Sequence, residues 1–274
     1  MKSKFKRKIL ITKQYIKLGS SIQDKFLLIL YSLIRNRPFK GTNLYAKLGK
    51  TFIPKITFHT KSFNNYKIAF DSGDITHFTI VDEFLINKIY DLKKLNFIPE
   101  QIIDCGGHIG LFSVLAKSHF KNVPIVIFEP NPYNIGFIKN HIKINQIENI
   151  KLIEKAVSIV ETDMWFDNKS ASFGGHLIND KDNKGILVKT VDLLKFIPEK
   201  ATKLLLKIDI EGEELKVVPH IINFLPNITS LFIETHDGEK SYSFIDSLLT
   251  KNGFKGEVIS IENKLYYNLF YTRS

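Results

Sequence analysis

Cysteine is almost absent from this chain of 274 residues, because Cys105 is the only one. No disulfide can therefore form within the chain, and this composition fits a reducing compartment. Long apolar runs are missing too, since no segment reaches the roughly 18 to 20 apolar residues that a membrane-spanning helix needs. The longest candidate, 26–34, is too short and contains Tyr31 and Ser32. The sequence therefore predicts a protein without a transmembrane segment.

Acidic residues are outnumbered by basic ones, 28 against 39, which gives a formal net charge of +11. Such an excess suits nucleic acid, anionic lipid or an acidic substrate as a partner. The lysines are scattered along the chain, however, and cluster only within residues 2–8. We therefore expect solvated surface lysines, and binding of nucleic acid is not favoured.

Residues 1–73 are predicted to form a small, basic N-terminal extension of helices and strands. Apolar residues recur there at helical spacing on one face, before a Pro38 that is predicted to end the helix. This stripe consists of Ile22, Phe26, Ile29, Leu30 and Leu33. It either packs on the main domain, which we favour, or lies on an anionic membrane surface.

The start of the chain also bears on location. Its basic residues are followed by a short apolar stretch that Lys13 and Lys17 interrupt, which is unlike a signal peptide. We therefore expect a cytoplasmic protein, and peripheral contact of the basic N-terminus with the inner membrane face stays open. Residues 52–70 indicate short strands with a turn at Asn64 and Asn65.

Residues 74–274 are predicted to form the main domain, in which short apolar strands alternate with helices. The strands are expected at 101–105, 124–128, 151–155, 204–208 and 228–234, and the helices at 81–92, 111–117, 133–145, from 213 and at 242–251. This alternation predicts an α/β fold with a parallel sheet covered on both faces. Residues 256–261 and 265–271 are predicted to close the sheet as an antiparallel hairpin, giving seven strands.

A glycine-rich loop follows the first of these strands and precedes a helix. Its residues are Asp104, Cys105, Gly106, Gly107, His108, Ile109 and Gly110. Glycines let the backbone approach a ligand, and the helix N-terminus adds unpaired N–H groups. A dinucleotide site would need a glycine where Cys105 stands. The preceding Asp104 would repel a pyrophosphate but accepts hydrogen bonds from an ammonium group, which favours S-adenosylmethionine over NAD.

A second acidic residue, Glu129, ends the next strand and is followed by Pro130 and Asn131. It lies roughly 20 residues after the glycine loop, the position from which a carboxylate binds ribose hydroxyls. We therefore predict that Glu129 and Asn131 belong to the same cofactor site, although a surface carboxylate at a strand end is the alternative.

Polar side chains also end the two strands at 204–208 and 228–234. Asp209 and Glu211 follow one strand, and Glu234 and His236 end the other. Because the carboxyl ends of parallel strands meet at one edge, we expect these four side chains to converge there. Carboxylates and imidazole at that spacing suit proton transfer or a divalent cation, for which Asp209, Glu234 and His236 are the candidate ligands. The alternative is that Asp209 and Glu211 cap the next helix.

Together these motifs resemble the FkbM family of methyltransferases over roughly residues 74–274. The matching stretches are 104–110, 128–130, Asn140, Asn145, 151–158, 190–192, 206–212 and 233–236. The resemblance implies a Rossmann-like class I fold and S-adenosylmethionine as the methyl donor. It implies that Asp104, Gly106, Gly107, His108, Gly110, Glu129, Asn131, Ala156 and Asp209 bind the cofactor. His108 stands where that family usually has Asn.

The family resemblance also implies O-methylation, often of sugars in glycans or of natural products. We predict that His236 is the general base and that Asp209, Glu211 and Glu234 orient it or bind a cation. Residues 163–184 contain aromatic and glycine residues and are predicted either to cover the acceptor pocket or to form a packed hairpin. The alternatives are a nucleic-acid methyltransferase, against which the absence of a Pro-Pro-aromatic motif after residue 209 argues, and a non-catalytic cofactor-binding subunit of a glycan-assembly complex.

Overall fold

The structure is a computed structural model that describes residues 12–35, 55–60, 63–71, 74–167, 175–178, 185–200 and 203–273. The chain divides into two compact units. The first unit draws on Met1–Lys88, Ile109–His119 and Gly136–Ile147, and the second on Ile89–His108, Phe120–Ile135 and Glu148–Ser274. The sequence predicts a single boundary at residue 73, whereas each of these units combines several separate segments of the chain. The predicted boundary therefore stays a prediction.

The described elements alternate along the chain much as the sequence predicts. The helices are α1 (Ile22–Arg35), α2 (Ile75–Asp82), α3 (Leu111–His119), α4 (Pro132–Ile144), α5 (Glu214–His220) and α6 (Glu239–Lys251). The strands are β1 (Lys55–His59), β2 (Lys67–Asp71), β3 (Gln101–Cys105), β4 (Ile125–Phe128), β5 (Ile150–Ile153), β6 (Ala156–Ser158), β7 (Asp163–Asp167), β8 (His176–Ile178), β9 (Ile186–Asp192), β10 (Leu204–Ile208), β11 (Ile228–Thr235), β12 (Lys255–Glu262) and β13 (Tyr266–Thr272). No helix among these residues is long and apolar enough to cross a membrane.

A seven-stranded sheet lies in the second unit, in the order β12-β13-β11-β10-β3-β4-β5. The five strands from β11 to β5 run parallel, and β13 pairs antiparallel with both β11 and β12. This confirms the predicted sheet and its C-terminal hairpin. Strand β10 is apolar except for Lys207 and is buried throughout, as expected of a central parallel strand. Leu206, Leu231 and Ile245 have no exposed surface in the core around it.

A smaller sheet in the same unit has the order β6-β9-β7-β8. Its strands β7 and β8 form an antiparallel hairpin in which Trp165 lies opposite Ile178. Of the two predictions for residues 163–184, the packed hairpin is therefore seen in the part that the structure describes. Residues 168–174 and 179–184 lie outside the described residues. Its role as a cover for an acceptor stays a prediction.

The helix predicted at 81–92 is shifted in the structure. It begins at Ile75, where the side chain of Asp74 accepts from the backbone N–H of Thr76 at 2.9 Å. After Asp82 the chain continues as a π-helical turn, and it leaves the helix at Lys88 with a φ of 53°. Asp is a favoured N-cap residue, so Asp74 is the sequence signal that would have placed the helix start correctly.

The buried face of α1 also differs from the predicted one. Ile22 and Phe26 belong to the predicted stripe, yet they are 86% and 64% exposed. Among the α1 side chains that the structure describes, Asp24, Leu28 and Ser32 are buried, and Asp24 accepts from the N–H of Ser21 at the helix start. The expectation that the apolar stripe packs inward is therefore wrong for its first two residues. The side chains of Leu30 and Leu33, and Pro38, lie outside the described residues.

Two side chains form hydrogen bonds with the backbone at the edge of β2: one lies in α4 and the other just after it. All of these residues belong to the first unit. Asn145 accepts from the N–H of Lys67 at 2.6 Å and donates to its carbonyl oxygen at 2.9 Å. His141 Nε2 accepts from the N–H of Ala69 at 2.8 Å, so its Nδ1 carries the proton and donates to the carbonyl oxygen of Ile109 at 2.8 Å. These side chains therefore replace the bonds that a neighbouring strand would make.

Burial of the His141 ring lowers its pKa to about 4. An unfolded chain takes up a proton at this histidine near pH 6.5, whereas the folded chain does not until about pH 4. We therefore expect the free energy of unfolding to decrease from about pH 6.5 downward, by up to ~3 kcal/mol from this residue. Urea unfolding of His141→Gln between pH 7.5 and pH 5 should have a smaller pH slope than the wild type. The exposed His119→Gln is the control, and equal slopes in His141→Gln and the wild type would contradict the expectation.

Candidate functional site

The strand order reverses between β3 and β10, and the predicted site residues lie beyond the carboxyl ends of these strands. From β3 the chain proceeds to β4 and β5 on one side, and from β10 to β11 on the other. Cys105, the last residue of β3, is in register with Phe128 of β4 and Ile208 of β10. A crevice at such a reversal is where ligands of open α/β sheets bind.

The glycine loop meets the end of β10 through backbone contact. Gly106 has a φ of +82°, and a Cβ placed on it would lie 1.8 Å from the carbonyl oxygen of Asp209. The N–H of Asp209 donates to the carbonyl oxygen of Cys105 at 3.1 Å. Glycine is therefore required at Gly106 both for its backbone conformation and for space.

Glu129 ties the same loop to the end of β4. One carboxylate oxygen accepts from the N–H of His108 at 2.7 Å, and the other accepts from the N–H of Asn131 at 2.9 Å and from Asn134 at 3.3 Å. Burial raises the pKa of Glu129 to about 7, although these hydrogen bonds and Lys207 favour its charged form. Asn131 in turn accepts from the N–H of Tyr133 at 3.0 Å and so caps α4.

His108 adopts a left-handed backbone conformation, with a φ of +47°. Asn, Asp and His all occupy this region several-fold more readily than most other residues. Histidine is therefore among the residue types that suit the backbone conformation at His108.

A buried cluster of charges lies under the glycine loop. Lys207 of β10 is 4% exposed, and its Nζ lies 3.4 Å from a carboxylate oxygen of Asp104 and 3.4 Å from one of Asp209. It donates to the carbonyl oxygen of Gly106 at 2.5 Å. Although burial opposes its charge, the two aspartates raise its pKa above the ordinary lysine value. This cluster therefore carries two negative charges and one positive charge.

A second cluster joins the loop after β10 to the end of β11. His236 Nε2 lies 3.1 Å from Glu211, and Nδ1 lies 3.4 Å from Glu214. Burial opposes the charged imidazole, but hydrogen bonds to Glu211 and then Glu214 raise the pKa of His236 to about 12. Glu214 also accepts from the N–H groups of Ile210 and Gly212 at 2.7 and 2.8 Å, which fixes the turn that carries Glu211.

The structure brings most of the predicted residues together. Within the described part of the chain, Asp209, Glu211 and His236 each offer a ligand atom, and these atoms lie within 4.8 Å of one another. Glu234 is not in this group, and it lies opposite Asn268 in the neighbouring strand. Ala156 is buried in β6 with Phe166 and Val188. The roles predicted for all these residues stay predictions.

Sequence reasoning missed Lys207 and Glu214. Lys207 precedes the recognised Asp209 on an otherwise apolar strand, and a charged residue in a buried strand is itself a signal, because such residues are rarely buried without partners. Glu214 was hidden in the run Glu211-Gly212-Glu213-Glu214. Its contact with His236 joins the first residue of α5 to the residue that follows β11, and spacing along the chain does not give such contacts.

The residues at this crevice fit S-adenosylmethionine. The excess negative charge of the buried Asp104–Lys207–Asp209 cluster complements a cationic ligand, and Glu129 stands at the strand end that binds a ribose in such folds. With the order and directions of the seven strands, they define a class I, S-adenosylmethionine-dependent methyltransferase.

Comparison with known proteins gives the family. The model of the methyltransferase FkbM domain matches residues 104–255, more than half of the chain, and the chain belongs to this family. A protein named Methyltransferase 1 from Beauveria bassiana (strain ARSEF 2860) is 22% identical over 198 residues, which are 63% of this chain and 78% of that protein.

Two solved structures are also similar. M. jannaschii TYW2 in complex with AdoMet has a TM-score of 0.47 at 13% identity, over 81% of this chain and 87% of that chain. Precorrin-6y C5,15-methyltransferase from Geobacter metallireducens GS-15 has a TM-score of 0.41 at 14% identity, over 67% of this chain and 84% of that chain.

The variant Gly106→Ala should lower the free energy of unfolding by at least about 2 kcal/mol, because the new Cβ collides with Asp209 in a left-handed conformation. The matched control is Gly136→Ala, where a Cβ meets nothing within 4 Å. Urea unfolding measures both variants, and the control should be as stable as the wild type or more stable, since alanine favours a helix. A Gly106→Ala protein with wild-type stability would contradict the close contact.

If Glu129 binds the ribose as predicted, cofactor affinity should rise about tenfold between pH 6 and pH 8, because only the ionised carboxylate accepts from both hydroxyls and its pKa is about 7. Its effect on folding has the opposite sign: the folded state holds the proton more tightly, so stability from this group falls as pH rises from 4.5 to 7. Titration calorimetry with S-adenosylmethionine should show a weaker pH dependence in Glu129→Gln than in the wild type and in the exposed-residue control Glu100→Gln. If cofactor affinity depended on pH equally in all three proteins, a group other than Glu129 would be responsible for the effect.

Proposed function

We propose that this methyltransferase transfers the methyl group to a hydroxyl oxygen, and that the hydroxyl belongs to a sugar in a glycan or glycoconjugate. The observation that carries the proposal is the Glu211–His236–Glu214 cluster beside the cofactor site. An alcohol holds its proton tightly at neutral pH, so methylation of oxygen needs a proton acceptor or a metal ion.

The bound cofactor supplies a methyl group on a positively charged sulfur, which leaves as a neutral thioether. The chain's task is to bind it, to orient the acceptor and to accept a proton. The glycine loop, Asp104 and Glu129 bind the cofactor in this proposal. Holding the acceptor oxygen roughly 3 Å from the methyl carbon supplies much of the rate enhancement.

The proton of the acceptor passes to the Glu211–His236 pair. In the ligand-free protein the ring of His236 is protonated between two carboxylates, and burial raises the pKa of Glu211 above its ordinary value. A carboxylate with a raised pKa is a stronger base than a solvated one. Because the groups are in contact, the pair takes up one proton as a unit. Because the pKa of His236 is raised to about 12, its ring already holds a proton near neutral pH. In this proposal the role of general base predicted for His236 therefore moves to Glu211, and His236 is the partner that holds the accepting carboxylate.

A divalent cation is the alternative means of activating the hydroxyl. Asp209, Glu211 and His236 offer two carboxylates and an imidazole as ligands, a donor set that suits several divalent ions. A cation held there would polarise the acceptor oxygen and assist loss of its proton. A requirement for added cation, abolished by a chelator, distinguishes this alternative from proton transfer to the side chains alone.

A sugar acceptor is supported by the aromatic surroundings of the cluster. The ring of Tyr266 lies edge to face with His236, with ring centroids 5.4 Å apart, and Tyr266 is only partly buried. Aromatic rings offer an apolar face together with a polar group, which suits an acceptor that presents both C–H and hydroxyl groups. The acceptor type implied by the FkbM resemblance agrees with this.

The proposed location is the cytoplasm, with peripheral contact at the inner membrane face. The support is the exposure of Ile22 and Phe26 on α1, with Lys25 between them. Apolar side chains beside basic ones favour contact with anionic lipid.

The test combines labelled S-adenosylmethionine with a panel of acceptors: simple glycosides, lipid-linked sugars and RNA. We expect methyl ethers on a sugar, and a decrease of kcat by a factor of about 10² to 10⁴ in His236→Gln. The matched control is His220→Gln, whose ring pairs with Asp192 at 3.1 Å, and it should keep wild-type turnover. Cofactor affinity, measured separately, should be unchanged in both variants.

Three outcomes would contradict the proposal. Wild-type turnover of His236→Gln would exclude the cluster from catalysis. Methylation of RNA, with binding that weakens steeply with salt, would favour the nucleic-acid alternative. Cofactor binding with no turnover on any acceptor would favour a non-catalytic subunit.

A further inference from the structure

Lys207 stands at an unusual place for a lysine. It lies within β10, between β3 and β11, in register with Asp104 and Phe232, and only 4% of its surface is exposed. The other residues of this strand are all apolar. A buried ammonium group carries a large desolvation cost, so a lysine at such a place requires compensating partners.

Its partners all belong to the cofactor-binding edge of the sheet. The Nζ donates to the carbonyl oxygen of Gly106 at 2.5 Å and lies 3.5 Å from that of Cys105. It also lies 3.4 Å from both Asp104 and Asp209. One ammonium group therefore joins the glycine loop to the end of β10, and it also lies over the ring of Tyr90 at 5.9 Å from the centroid.

The charges of this cluster do not balance. Asp104 has no exposed side-chain surface and the side chain of Asp209 is 25% exposed, so water screens their charges little. Among the charged groups of this cluster in the described residues, one lysine faces two aspartates, so these three groups carry one negative charge in excess. An excess charge at a ligand-binding edge favours ligands of the opposite charge. The methyl donor carries a positive sulfonium that its thioether product lacks.

We propose that Lys207 is a positioning residue for the methyl donor. It holds the Gly106 carbonyl and the Asp104 carboxylate in their binding orientation, and it leaves one excess negative charge that favours the charged donor over the neutral product, S-adenosylhomocysteine. The proposal rests on donor binding by this class of enzyme and is independent of the acceptor. Selecting donor over product reduces product inhibition after each turnover.

The experiment measures the Kd of donor and product by titration calorimetry at pH 8, for the wild type and Lys207→Met. Methionine has a similar length and no charge. We expect donor binding to weaken at least about tenfold, because the loop loses its partner. Product binding should weaken further, because the two aspartates then favour a cation more strongly. The ratio of product Kd to donor Kd therefore rises, whereas a purely structural role would weaken both ligands equally.

Two further variants make the outcome decisive. Lys207→Arg retains the charge and should recover donor binding in part. Asp209→Asn removes the excess charge, so the ratio of the two Kd values should fall below that of the wild type. The control Lys216→Met removes a lysine that is 57% exposed and pairs with Glu213, and its Kd values should match the wild type.

The proposal is overturned if Lys207→Met binds both ligands within about twofold of the wild type. It is also overturned if both ligands weaken equally in Lys207→Met, whatever the result for Lys207→Arg. Thermal unfolding checks that each variant is folded. Should Lys207→Met fail to fold, the ratio in Asp209→Asn decides: a fall supports the charge argument, and an unchanged ratio overturns it.

Discussion

The contact between the ends of β3 and β10 is the constraint on which the rest of the site depends. Gly106 approaches the backbone of Asp209 so closely that no other residue fits, and Lys207 bonds to the same loop from below. The sheet thereby sets the distance between the two motifs, and the loops have little freedom to change it. A site built on the ends of adjacent parallel strands is fixed by the hydrogen bonds of the sheet itself. Preorganisation of this kind is what charge-based recognition and catalysis require.

Backbone strain is concentrated around the second cluster. Glu211 has a φ of 57°, Asp237 follows His236 with a φ of 68°, and Gly238 then adopts a conformation that only glycine enters readily. Non-glycine residues in this region cost about 1 to 3 kcal/mol each, and such costs persist where the surrounding structure holds them. Here the carboxylate of Glu214 holds the turn by two hydrogen bonds. These bonds hold the strained turn in the conformation in which Glu211 pairs with His236, although the two residues follow different strands.

Much of the fold can be predicted from the sequence, because apolar runs and the turn residues that flank them indicate the same strand bounds. The strands at 101–105 and 204–208 have the predicted bounds, since each is a short apolar run followed by polar or glycine residues. The face of α1 was less predictable, because Asp24 and Ser32 are buried by hydrogen bonds that helical periodicity does not report. In the site, the order of strands gives the edge at which Glu234 and His236 lie. It does not give the direction of their side chains, so the pairing of His236 with Glu214 needed the structure.

The place of β13 has a consequence for how the protein is made. This strand comes after every other element in the chain, yet it lies inside the sheet, between β11 and β12. Until residues 266–272 leave the ribosome, β11 has an open edge and β12 has no partner. An exposed strand edge is a site for pairing with other chains. Sheet closure therefore has to wait until β13 has been synthesised, and the nascent chain must remain soluble while that edge is open.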